Sequence, residues 1–396
     1  MASLLLGAVI SILSKSSNAA PSHVHRSCID LDLSVPVTAN NSIYDVPRVD
    51  NNIDAVDLIW DLDRWTAPAT ADRITAMKTV QQTFTISVQL CVPDDYDDSE
   101  KANILQIATH GFGFDKRYWD SELRPEDYSY VTAALKAGYS ILTYDRLGVG
   151  NSDKPDAYEI AQTPVEREIL KELTVLARSG GLTAAAASST RSNKTFEVPD
   201  FNKIVLVGHS LGSRLTLGVL SEYGDIVDGA VATGLILNGR FGAVGQRAFG
   251  LEYAGDSEPR RFRERGSGYL VQGTESSVQQ IFFKKGYFDP EMLKYAEKIK
   301  ETGTVGEFVS LDAVLEQPAP GYSGPLLFAL GEYDFAVCEG NCTGSYDLEA
   351  LKNETFFNAA DVRVHIQPGS GHALTMHSNA TGHFEAIFEY LGENGL

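Results

Sequence analysis

A serine stands between two glycines where two patterns meet, in residues 203–220, KIVLVGHSLGSRLTLGVL. Ile204, Val205, Leu206 and Val207 form a short apolar run of the kind a buried strand shows. Leu211, Leu215 and Val219 then recur at helical spacing. Gly208-His209-Ser210-Leu211-Gly212 is therefore a G-x-S-x-G pentapeptide between a strand and a helix. So sharp a turn leaves no space for side chains at the two glycines and lifts the serine hydroxyl out of the fold. The helix N-terminus behind it favours developing negative charge. The chemistry this allows is nucleophilic attack by Ser210. The plainer alternative is a serine capping an ordinary helix. The paired glycines and the abrupt change of pattern favour the nucleophile.

A serine hydroxyl is a poor nucleophile until a base takes its proton, and the base needs a carboxylate to orient it. On strand–turn–helix scaffolds the order along the chain is serine, acid, histidine. Residues 324–334, GPLLFALGEYD, read as a strand that delivers Asp334 just beyond its end, with Glu332 and Asp347 as rivals. Four histidines follow. His365 falls inside a strand pattern, His377 would start the last helix, and His383 adjoins that helix's apolar face. His372 lies in the glycine-bracketed loop PGSGHAL after the last strand, the kind of loop that carries function, and is the expected base. The tetrahedral oxyanion needs preorganised N–H donors. One is expected from Leu211, directly after the nucleophile, and the other from Phe112 in the loop His110-Gly111-Phe112-Gly113.

These residues need a scaffold. Residues 83–92 (TFTISVQLCV) alternate and are rich in β-branched types, as strands do. Strand patterns follow at 103–111, 140–145, 203–208, 229–237, 324–334 and 362–367, with helical patterns between several of them. That alternation implies an α/β fold, a mostly parallel sheet covered by helices on both faces, with ligands bound beyond the carboxyl ends of the strands. Residues 181–195 (GLTAAAASSTRSNKT) read as an exposed low-complexity loop. Residues 239–320 break the rhythm and read as a helical cap inserted after the strand at 229–237. Residues 21–75 read as an N-terminal arm lying on the body. The core is then 76–238 and 321–396.

HGFG after one strand, YDRLGVGNSDKP after the next, GHSLG, the aspartate after a later strand and GSGHAL occur here in one order, and together the chain resembles the α/β-hydrolase superfamily. More narrowly it is similar to secreted fungal members that carry an N-terminal arm. The resemblance covers about residues 80–390. It implies Ser210 as nucleophile, Asp334 as acid and His372 as base. It also implies a structural role for Asp145, with Arg146 bracing the loop beside the site, and a lid formed by 239–320. A serine in place of an aspartate argues against relatives that open epoxides or displace halide. The loop is HGFG and not HGGG, which leaves a third oxyanion donor unassigned.

The formal net charge of −20 disfavours nucleic acid or an anionic membrane surface as partner. Leu4 to Leu13 form an apolar run too short to span a bilayer, followed by small and polar residues, so residues 1–20 read as a secretory signal peptide with no membrane anchor. Sequons at Asn40, Asn193, Asn341, Asn353 and Asn379 fit an extracellular glycoprotein. So do four cysteines, for which Cys28–Cys91 and Cys338–Cys342 are the favoured pairs over a metal site.

The expected activity is hydrolysis of a carboxylic ester or lactone of a hydrophobic small molecule, through an acyl-enzyme and without metal or organic cofactor. Aromatic residues from Phe241 to Phe288 either pack the cap or line an apolar pocket. The basic run Arg260–Arg265 reads as a solvated face rather than a carboxylate site. The rival readings are a cyclase or transacylase using the same triad, a hydrolase-fold lyase or cofactor-free haloperoxidase, and a binding protein on a hydrolase scaffold.

Overall fold

The computed structural model describes residues 26–94, 100–188, 196–237, 247–315 and 318–396. The signal-peptide reading, the Asn193 sequon and Phe241 lie outside them. Strands β1 (Arg26–Tyr44), β2 (Ile74–Pro93), β3 (Ile104–Thr109), β4 (Ser140–Tyr144), β5 (Lys203–His209), β6 (Gly229–Thr233), β10 (Leu326–Gly331) and β11 (Val362–Gln367) form one eight-stranded sheet. The order is β1-β2-β4-β3-β5-β6-β10-β11. From β4 to β11 all neighbours run parallel, while β2 runs antiparallel to β1 and β4. This is the expected α/β fold with a mostly parallel sheet.

The central strands are buried on both sides. Leu105, Ile107, Leu206 and Phe328 enter one cluster with the helices Thr163–Arg178 and Leu211–Tyr223. Ile104, Ala108, Val205, Val207 and Leu327 enter the other, with the helices Tyr130–Lys136 and Ala380–Glu393. Successive strand residues point to opposite faces, so a run of consecutive apolar residues fills both layers at once.

The segment read as an arm supplies the outermost strand. β1 pairs with β2 along its whole length, from Arg26 opposite Pro93 to Tyr44 opposite Ile74. Leu31, Leu33, Val35, Val37 and Ala39 are buried, and the residues between them are exposed. Asp32 is thus on the solvent side of the strand. Pro36, which has no N–H to donate, is tolerated because β1 is an edge. The low-complexity stretch also differs from expectation, since Gly181–Ser188 form a helix. Its alanines favour one, and Leu182 and Ala186 bury against the sheet.

The insertion is not purely helical. β7 (Leu251–Tyr253), β8 (Tyr269–Gln272) and β9 (Gly303–Thr304) form a second, antiparallel sheet. The helices Glu275–Phe282, Pro290–Ile299 and Val305–Val309 surround it. The strands are too short to announce themselves by periodicity. The helix Asn52–Asp63, from the N-terminal segment, buries Ala55 and Leu58 in a cluster shared with Leu251, Leu270 and Phe308 of the insertion.

Both favoured disulfides are present, Cys28–Cys91 and Cys338–Cys342. The first closes a loop of 63 residues across the β1–β2 pair. Replacing Cys28 and Cys91 together by serine is expected to lower the unfolding free energy by about 2–4 kcal/mol. Urea denaturation of the two proteins reads this, and an unchanged midpoint would contradict it.

Candidate active site

β5 ends at His209, and the chain turns at once into the helix Leu211–Tyr223. Between them Ser210 has φ 52° and ψ −114°, a conformation that L-residues avoid. The turn is held by Ser210 N–H, which donates to Thr233 O at 2.8 Å. The two glycines are required by contact. A Cβ on Gly208 would stand 2.5 Å from Ser213 Cα, and one on Gly212 would stand 2.1 Å from Thr109 O. Strand, turn and helix are packed closer than any side chain allows, which is the reason read from the pentapeptide.

Three of the residues singled out from the sequence meet here. His372 Nε2 is 2.9 Å from Ser210 Oγ, and His372 Nδ1 is 2.7 Å from Asp334 Oδ2. A carboxylate only accepts, so Nδ1 carries the proton and Nε2 is left to accept from the serine hydroxyl. Asp334 is fully buried and His372 is 1% exposed. Oδ1 of Asp334 accepts from Val337 N–H at 3.1 Å, which fixes the carboxylate. Gly234, at φ 58°, clears space beside the imidazole, since a Cβ there would lie 3.1 Å from His372 Cε1.

The rivals fall elsewhere. Glu332 accepts from Gly369 N–H, and Asp347 caps a short helix through Ala350 N–H. His365 bonds Gln367 within β11. His383 is buried beneath the last helix, and burial pushes it down to about 3. His377 shapes the loop that holds His372. Its Nδ1 donates to Ala373 O at 2.8 Å, and its Nε2 accepts from Gly371 N–H at 2.9 Å. Burial pushes it down to about 4. Its two loop contacts went unread in the sequence, where no spacing signals them.

The loop expected to supply an oxyanion donor lies against the nucleophile. A Cβ on Gly111 would stand 2.9 Å from Ser210 Cβ. Leu211 begins its helix, so its N–H has no partner within that helix. Phe112 buries its ring on Phe249 and Phe308 of the insertion, with centroids at 5.4 and 6.0 Å. His110 ties the loop to the turn after β4. Its Nδ1 donates to Gly111 O at 2.8 Å, and its Nε2 accepts from Arg146 N–H at 3.1 Å. Burial, then the Arg146 charge, hold it well below the ordinary histidine range, which keeps Nε2 free to accept.

Arg146 is fully buried and forms ion pairs with Glu166 and Glu307, both also buried. Its Nη2 reaches Gly111 O at 3.4 Å. Glu307 at the same time closes a capping box with Thr304, accepting from Thr304 N–H at 2.6 Å. Burial raises the Glu166 carboxyl well above its ordinary value. Two carboxyls thus share one guanidinium. Asp145 beside them accepts from Lys116 Nζ at 2.8 Å and from Asn151 N–H at 2.9 Å, a structural brace. Arg261 and Arg265 of the basic run pair with Glu258 and Glu301 and are neutralised within the insertion.

Arg146→Met strands two buried carboxyls and is expected to cost about 3–5 kcal/mol of stability, read by urea denaturation. His377 carries a proton in the unfolded chain below its ordinary value of 6.5 but not in the fold until about pH 4. The unfolded state binds more protons in that window, so stability is lost as pH falls through it. His377→Gln is expected to flatten the decline of the urea midpoint between pH 6.5 and 4. A decline as steep as in the parent would show that His377 titrates normally.

The profile of the Alpha/beta hydrolase family matches residues 107–382. Among solved structures, a soluble variant of monoglyceride lipase from Saccharomyces cerevisiae, in complex with a substrate analogue, is similar over 79% of this chain and 92% of that chain, at 14% identity and TM-score 0.50. A thermophilic esterase from Thermogutta terrifontis is similar over 78% of this chain and 94% of that chain, at 16% identity and TM-score 0.48. The enol-lactonase from Burkholderia xenovorans LB400 is similar over 78% and 97%, at 14% identity and TM-score 0.47. These likenesses are ones of fold. A search of curated proteins returns no match. The family match runs from within β3 into the last helix and takes in β4 to β11, the turn at Ser210 and the loop of His372. This chain belongs to the α/β-hydrolase family.

Proposed function

We propose that the protein is a secreted serine hydrolase that cleaves a carboxylic ester or lactone of a hydrophobic small molecule. The observation that carries this reading is the continuous relay from Asp334 through His372 to Ser210, at 2.7 and 2.9 Å, with the serine in a strained turn. Ser210 Oγ attacks the carbonyl carbon as His372 Nε2 takes the hydroxyl proton. Charge gathers on the carbonyl oxygen, where the Leu211 and Phe112 amides donate. His372 returns the proton to the leaving alcohol. It then activates a water, which attacks the acyl-enzyme and frees Ser210. Asp334 stays ionised and holds the imidazole in the tautomer the attack needs.

The walls favour an apolar substrate. Phe282 faces the His372 ring at 5.8 Å, Phe249 stands edge-on to Phe282 at 6.2 Å, and Phe249 in turn packs on Phe112. Secretion rests on the apolar N-terminal run, the two disulfides and the sequons. The asparagines of the four described sequons, Asn40, Asn341, Asn353 and Asn379, are all exposed, as glycosylation requires. Among the described residues no helix is long and apolar enough to cross a membrane.

A fluorophosphonate is expected to add once to the mature chain and not to Ser210→Ala, read by intact mass. An unlabelled, folded parent would overturn Ser210 as nucleophile. Asp334→Asn and His372→Ala are each expected to lower kcat on a responsive ester by about 10³–10⁴ or more.

A further inference from the structure

β8 alternates between two surroundings. Tyr269 and Val271 pack with Ala254 and Phe262, within the insertion. Leu270 packs on the other side with Phe112, Leu211 and Phe308. The two-residue period of a strand puts Gln272 on the side of Leu270, facing the site. The contacts agree. A Cβ on Gly113, in the oxyanion loop, would stand 2.5 Å from Gln272 Nε2 and 2.9 Å from Oε1. The carboxamide lies directly on that loop, and only the missing side chain at Gly113 lets it approach. Gly111, two residues before, touches Ser210. The backbone of Gln272 is fixed by pairing with Leu251 and by Lys300 Nζ, which donates to Gln272 O at 2.8 Å.

Gln272 is fully buried, and neither Nε2 nor Oε1 has a hydrogen-bond partner among the described residues. A buried polar group left in that state is destabilising, because it has given up its hydrogen bonds to water. Leu270, two residues before it on the same face of β8, packs in an apolar cluster, and a methionine at 272 would carry no such unpaired group. A destabilising group beside the reacting centre signals a ligand that completes it.

We propose that Gln272 determines specificity by hydrogen-bonding a hydroxyl that the ester substrate carries close to its scissile carbonyl. This deepens the proposed function and rests on that reading. The unpartnered pair is one donor and one acceptor, and a hydroxyl is both. A carboxylate only accepts and would face the lone pairs of Oε1. Discrimination follows from the same geometry, because an ester lacking the hydroxyl leaves the amide buried and unpaired in the complex.

The test uses three probes of matched chain length, ethyl β-hydroxyhexanoate, β-hydroxyethyl hexanoate and ethyl hexanoate. Their affinities are measured by calorimetry on Ser210→Ala, where chemistry is silent, and on Ser210→Ala with Gln272→Met. At least one hydroxylated ester is expected to bind about tenfold tighter than ethyl hexanoate to the first protein, as one hydrogen bond gives. That preference is expected to vanish in the second. The melting temperature of Gln272→Met is expected to hold or rise, since an unsatisfied group is removed. Equal affinities, a preference that survives Gln272→Met, no binding of any probe, or a preference lost together with a lower melting temperature would each overturn the proposal. Turnover by the unaltered protein is read separately. Binding with the hydroxyl preference but no turnover sinks ester cleavage and leaves recognition standing; turnover without the preference does the reverse.

Discussion

One buried cation joins the parts of this molecule that must keep register. Arg146 follows β4, pairs with Glu166 on the helix Thr163–Arg178 and with Glu307 on a helix of the insertion, and touches the oxyanion loop at Gly111. A guanidinium with no access to water is tolerated only when carboxyls offset its charge, so the three elements are held to one geometry. His110 extends the network by accepting from Arg146 N–H and donating within the loop, which it can do because burial keeps it neutral. Core, insertion and oxyanion loop are therefore a single polar unit beneath an apolar surface.

Around that unit the site is built from constraints of space. The helix after Ser210 crosses so close to β3 that Gly212 abuts Thr109 O, and the serine must take a positive φ to make the turn. The same economy recurs at Gly111 against Ser210, Gly234 beside His372 and Gly113 under Gln272. Strain and missing side chains concentrate within one loop of the nucleophile, while the sheet below is regular. Proteins keep such costs where the arrangement serves binding or chemistry.

The N-terminal segment takes part in this as well. β1 widens the sheet, and the helix that follows lays Ala55 and Leu58 on the cluster containing Phe112 and Leu211. Residues far apart in sequence thus share the roof of the site, and the wall beside His372 is made by Phe249 and Phe282 from the insertion.

Local patterns carried much of this in the sequence. G-x-S-x-G between a strand run and a helix run determined the elbow, since its cause is steric and confined to five residues. Chain order and loop context singled out Asp334 and His372, and the alternation of strands and helices determined the sheet class. β1 lies within residues 21–75, read as an arm, although the alternation from Leu31 to Ala39 is that of a strand with one buried face. Other features have no local cause. The short strands β7 to β9 exist only because they pair, and the contacts of His377 with Ala373 and Gly371 form only in the folded loop. The pairing of Arg146 with Glu307, 161 residues on, and the seating of Gln272 on Gly113 join segments distant in sequence, which no periodicity records. The sequence by itself determined the scaffold and the sharp turn at Ser210; the tertiary structure decided what surrounds them, because desolvation and close packing depend on every element at once.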